Sequence, residues 1–292
     1  MQAIKRLAII GVGLIGGSLA RALRAQNLVG EVIGCGRDEQ NLRRAVELGV
    51  IDRYTFDPAV AAAHAEVVVV AVTLGATRDV LARLAPTLGA QAIVTDVGST
   101  KQSVIEAARA TLGTHFSRFV PGHPIAGGER SGVEAAIPTL YERHRVILTP
   151  TPDTDPAALL QIRQMWEIIG ANVSQMDAAH HDQVLAATSH LPHLLAYALV
   201  DCLVGMSDSG AILDYAAGGF RDFTRIASSN PEMWRDIALH NRQALGQVCA
   251  QFEDTFRRLR AAVETGDGLA LHEIFARAKA ARDAYLARTA QA

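Results

Sequence analysis

With 292 residues, 49% of them apolar and 20% charged, the chain has the composition of a globular protein large enough for two domains, which excludes disordered and fibrous classes. Its formal charge of -2 is spread evenly, with 17 basic against 16 acidic residues up to position 176 and 11 against 14 beyond it, so no basic face for nucleic acid or an anionic membrane is expected. Cys35, Cys202 and Cys249 are too scattered for a zinc or redox pair, no apolar run reaches the roughly 18 residues of a membrane helix, and the start lacks the order of a signal peptide. A cytoplasmic protein that acts on a small molecule without a metal is the expectation.

Runs at 4–10, 31–36, 66–72 and 92–96 are rich in Val, Ile and Leu without polar alternation. Such runs suit strands of a parallel sheet covered by helices on both faces, the α/β class. Runs at 118–122, 145–149 and 172–175 extend the same sheet in this reading, the last following a helical stretch at 156–169 that stops at Gly170. Beyond Asp177 the pattern is helical to the end, with breaks near 205–210, 218–219, 230–231 and 266–268. The predicted organisation is a dinucleotide-binding domain over 1–176 and an all-helical one over 177–292.

Gly11-Val12-Gly13-Leu14-Ile15-Gly16 follows the first strand directly and opens a helix, the setting that makes this glycine spacing a Rossmann-type dinucleotide loop. Gly11 permits the tight turn, Gly13 lets the backbone approach a pyrophosphate, and Gly16 allows close helix packing, while Leu14 and Ile15 complete the loop ahead of the helix at 17–23, whose N-terminus faces the anion. About 20 residues further on, where an NAD site carries an acid on the ribose, stand Gly36 and Arg37. A guanidinium with no carboxylate beside it suits the 2'-phosphate of NADP, so NADP is preferred and NAD remains usable. The alternative, Asp38 as the ribose acid after a shift of register, stays open.

Three more segments combine titratable side chains with glycine-bounded loops: Thr95 to Lys101, including Asp96 and Ser99; Gly122 to Glu129, including His123; and Thr188 to His193, including Ser189. A histidine framed by glycine and proline after a strand is a natural general base. With Gly219 to Ile226 and Met233-Trp234, these segments and the Gly11 loop resemble, in order and over most of the chain, the prephenate/arogenate dehydrogenase family of tyrosine biosynthesis.

That resemblance implies an N-terminal Rossmann-type nucleotide-binding domain followed by an all-helical dimerisation domain, a homodimer, and oxidative decarboxylation of a cyclohexadienyl acid with NAD(P). It implies that His123 is the base on the ring hydroxyl, Ser99 its hydrogen-bonding companion and Arg225 the binder of a substrate carboxylate. Glu129, His193 and Ser189 would be further pocket groups, Trp234 would reach the neighbouring site, and Asp96 would join the glycine loop and Arg37 on the cofactor side. Prephenate and arogenate are not separated by these residues. A β-hydroxyacid dehydrogenase, the nearest rival, uses a lysine early in its helical half, whereas lysine occurs here only at positions 5, 101 and 279. A non-catalytic NADP-sensing protein would not require His123, Ser99 and Arg225 together. His190 and His193, three apart, lack a third ligand nearby and are interrupted by Pro192, which argues against zinc and leaves His190 as a structural histidine.

Overall fold

Strands that are apolar on both faces need cover on both faces, and the computed structural model, which describes residues 3–128 and 130–289, supplies it with helices. In chain order the elements are β1 (Ile4–Ile10), α1 (Leu14–Ala25), β2 (Val29–Cys35), α2 (Glu39–Glu47), β3 (Arg53–Thr55), α3 (Pro58–Ala62), β4 (Val67–Val70), α4 (Leu74–Leu84), β5 (Ile93–Asp96) and α5 (Gln102–Thr111). They continue with β6 (Phe119–Val120), β7 (Gly122–Pro124), β8 (Arg145–Leu148), α6 (Pro156–Ile168), β9 (Asn172–Gln175), α7 (Ala178–Leu185), α8 (Leu191–Val204), α9 (Ser209–Asp214), α10 (Gly218–Thr224), α11 (Pro231–His240), α12 (Arg242–Glu264) and α13 (Gly268–Thr289).

Six strands lie parallel in the order β3-β2-β1-β4-β5-β6. The order reverses between β1 and β4, which opens a crevice at the carboxyl ends of those strands, the place where α/β sheets hold ligands. One core, with Leu19, Leu23, Tyr141 and Trp166, lies on the side of α1, α2 and α6; the other, with Leu81, Leu84, Phe119 and Trp234, covers the opposite face. Each fully buried Leu there contributes roughly 1.5–3 kcal/mol by leaving water.

Three features differ from the sequence reading. Residues 145–149 and 172–175 do not extend the parallel sheet: β7 pairs antiparallel with β8, and β8 parallel with β9, as a separate three-stranded sheet. The break falls at Pro121, which has no N–H with which to continue a ladder. His123 consequently lies within a strand instead of a loop. Edge strand β3 escaped notice because it has three residues and opens on an arginine.

The chain divides into two compact units, Met1–Arg242 and Gln243–Ala292. The change from mixed to all-helical structure comes at Asp177, which caps α7 by accepting from the N–H groups of Ala179 and His180, so helices α7 to α11 belong to the first unit. The second holds most of α12, then α13, joined through Gly266 at a φ of +68°. No helix among the described residues is long and apolar enough to cross a membrane.

Candidate active site

The glycine loop has the shape its sequence requires. Gly11 has a φ of +104°, and a side chain there would meet the backbone carbonyl of Ala71. A Cβ on Gly16 would strike the Gly11 carbonyl and come within 2.7 Å of Ile9, whereas one on Gly13 would meet nothing within 4 Å. Two glycines are therefore needed for packing, and the third faces open space. No side chain caps α1 and its first turn carries no acid, so the N–H groups of Leu14, Ile15 and Gly16 at its positive end remain suited to an anion. These features fit the pyrophosphate of a dinucleotide. At the end of β2, Arg37 is exposed, while Oδ1 of Asp38 accepts from the N–H groups of Gln40 and Asn41 as the cap of α2.

Asp96, at the end of β5, is buried with both oxygens engaged: Oδ1 accepts from Gly122 N at 3.1 Å, and Oδ2 from Gly98 N at 2.8 Å and from Lys101 Nζ. Lys101 is wholly buried and also donates to the Gly122 carbonyl at 2.7 Å. Burial lowers its pKa, and the Asp96 carboxylate opposes that shift. The pair thus clamps the β5–α5 loop, where Ser99 is half-buried, to the strand that carries His123. Asp96 acts on that loop, and its carboxylate is committed to protein donors.

His123 is buried, and its Nδ1 lies 2.9 Å from Nε2 of His181. His181 Nδ1 is in turn 2.8 Å from Oδ1 of Asp182. Burial pushes the His123 pKa well below the ordinary value, with further lowering by His181, Lys101 and His190, so the imidazole is neutral at physiological pH. Burial alone would raise Asp182, but hydrogen bonds from His181 and from the N–H groups of Gln102 and Lys101 hold it below the usual carboxylate range. Those two N–H groups, at 3.0 and 2.7 Å, open α5, which has no cap of its own; a carboxylate 80 residues away in sequence serves instead.

Between α7 and α8, residues Ala186–His190 wind as a π-helix just ahead of Pro192, which cannot donate to the helical ladder. This turn carries Ser189, half-buried, whose carbonyl is 2.8 Å from Nδ1 of His193. Burial lowers the His193 pKa, and the charge of Arg225 lowers it further, which brings the exposed Arg225 into the same electrostatic neighbourhood. Trp234 is packed into the core beside α4 and stacks on His193 of its own chain, ring centroids 3.5 Å apart. His190 is buried with its Nδ1 facing the Asn241 amide at 3.0 Å, in keeping with a structural role. Glu129 lies outside the described residues.

The sequence reading missed His181, Asp182 and Asn241, and it gave Lys101 no task. The one local signal was His180-His181-Asp182 just inside a capped helix start, and nothing in that triplet points to a residue 58 positions earlier.

Comparison with known proteins covers nearly the whole chain. Residues 19–175 match the family model for the prephenate dehydrogenase nucleotide-binding domain, and residues 177–277 that for the prephenate dehydrogenase dimerization domain. A cyclohexadienyl dehydrogenase of Zymomonas mobilis is 40% identical over 97% of this chain and 96% of its own length. A prephenate dehydrogenase of Bacillus subtilis is 36% identical over 95% of this chain and 75% of its own. The crystal structure of the Aquifex aeolicus prephenate dehydrogenase in complex with hydroxyphenyl propionate and NAD+ superimposes with a TM-score of 0.90 at 37% identity, covering 97% of this chain and 99% of that one.

Proposed function

The chain belongs to the prephenate dehydrogenase family, whose members oxidatively decarboxylate prephenate or arogenate with a nicotinamide cofactor, and from that premise we propose how its own residues divide the work. His123 is the general base, Ser99 hydrogen-bonds the same substrate hydroxyl, and Arg225 binds a substrate carboxylate, with Ser189, His193, Trp234 and Glu129 as further groups of the pocket. The single observation that carries this reading is a neutral, buried His123 backed by His181 and Asp182, on a strand tied to the end of β5 by Asp96 and Lys101.

A bound nicotinamide supplies the hydride acceptor. His123 takes the proton of the ring hydroxyl, which lets the carbon that bears it become a carbonyl. When the ring carboxylate departs as carbon dioxide, its bonding electrons enter the ring, and His123 returns the proton to the phenolate oxygen, so the proton balance closes. The planar guanidinium of Arg225 grips a carboxylate with two parallel hydrogen bonds. Gly11, Gly13 and Gly16, with the backbone of Leu14 and Ile15, hold the pyrophosphate, and Asp96 supports the site through Gly98 and Gly122.

NADP is the preferred cofactor and NAD a usable one, because Gly36 offers no carboxylate, Asp38 is tied to its helix cap, and Arg37 presents a fork to a 2'-phosphate. The helical half forms the contact of a homodimer: α8 is strongly apolar, yet only Ala196 of its residues is fully buried within one chain. Measuring kcat/KM for prephenate and arogenate with each cofactor tests these readings together. Turnover with NADP favoured roughly 10-fold, the low end for an exposed charge-assisted hydrogen bond, is expected. A preference for NAD would overturn the Gly36–Arg37 reading, and failure to oxidise either substrate would overturn the functional assignment.

A further inference from the structure

We infer that Asp182 and His181 form a positioning relay that sets the tautomer of His123, leaving Nε2 as its basic atom; this rests on the reading of His123 as the base. The direction follows from donor and acceptor inventory. An ionised Asp182 can only accept, and it accepts at the same time from the N–H groups of Lys101 and Gln102. His181 Nδ1, 2.8 Å from Oδ1, must therefore carry a proton. In a neutral His181 ring Nε2 is then a lone pair, so His123 Nδ1, 2.9 Å away, must bring the proton to that contact. With both rings neutral, one assignment satisfies both contacts, and it puts the His123 lone pair on Nε2.

The relay also acts after proton transfer. With His123 cationic, its Nδ1–H still donates to His181, whose own Nδ1–H still points at the carboxylate, so no ring has to turn when charge appears. A buried carboxylate that orients a catalytic imidazole is the logic of the serine-protease triad, here with a second imidazole inserted. The other groups that bear on His123 cannot replace it: Lys101 is a cation already paired with Asp96, and His190 has its Nδ1 committed to the Asn241 amide. Asp182 is itself held by the start of α5 and, through its carbonyl, by Asn241 at 2.8 Å, which gives the relay a fixed end.

The test is 15N imidazole NMR of the full-length protein without ligands, joined to steady-state kinetics. In the wild type, His123 and His181 should each be protonated on Nδ1 and bare on Nε2. In Asp182→Ala the acceptor that fixes the His181 Nδ1 proton is gone, so both rings should lose their single tautomer and His123 should show Nε2–H; kcat should fall roughly 10-fold or more while substrate KM and cofactor Kd stay within about threefold. His181→Leu leaves the bonds of Asp182 to Lys101 and Gln102 intact and should lower kcat in the same way, which covers the case in which Asp182→Ala, stripped of the cap on α5, does not fold. A wild-type His123 protonated on Nε2, an unchanged tautomer in Asp182→Ala, or near-normal kcat in His181→Leu would overturn the relay. His123→Asn run in parallel separates the two ideas: if it stays active the base reading fails, and if it is inactive while the relay variants turn over normally, the relay alone fails.

Discussion

Replacing Lys101 by methionine should cost far more stability than any exposed charge. The ammonium is wholly buried and its partner Asp96 nearly so, with side-chain exposures of 0% and 3%. Removing one member of a buried pair leaves the other charge uncompensated, typically about 3–5 kcal/mol. Asp96 keeps two backbone donors, Gly98 and Gly122, which puts Lys101→Met near the lower figure. At about 2–4 °C per kcal/mol for a unit of this size, the melting temperature should drop by roughly 6–12 °C. Equilibrium urea unfolding followed by circular dichroism measures the loss, and adding Asp96→Asn should recover part of it by removing the orphaned charge. A loss below about 1 kcal/mol, or strict additivity of the two substitutions, would refute the argument that the buried pair holds the β5–α5 loop to the strand of His123.

Acid should weaken the fold through His190, whose pKa burial lowers from 6.5 to about 4. As pH falls from 6.5 toward 4 the unfolded chain takes up this proton first, so stability is lost across that window, by about 3 kcal/mol at most. His190→Gln should show a correspondingly flatter pH dependence of its urea midpoint, and an equal slope would contradict this assignment. Light scattering should report a particle of twice 31.1 kDa, and a 31.1 kDa particle at working concentration would remove the proposed dimer.

What could be read from the sequence was what is local. The Gly11 loop declares itself because turn, phosphate approach and helix packing all act within six neighbouring residues, and the structure shows close contacts at Gly11 and Gly16 and open space at Gly13. The valine-rich strands are equally legible, since burial on both faces leaves no room for polar residues. The separate sheet was not, because strand runs do not encode their partners and only the missing N–H of Pro121 marks the change. His181 and Asp182 belong to the same class of omission. Their meaning lies in meeting His123 and the start of α5, a tertiary fact that a histidine pair on a helix cannot announce. Trp234 was legible as a large aromatic near the site, whereas its stacking on His193 depends on how α11 packs.

The central claim is that His123 is the base, and turnover of a folded His123→Asn variant tests it most directly. With prephenate or arogenate and saturating cofactor, kcat should fall roughly 100-fold or more while cofactor affinity is unchanged, because the imidazole is not part of the nucleotide loop. Turnover at the wild-type rate, on protein shown to be folded, would contradict the account.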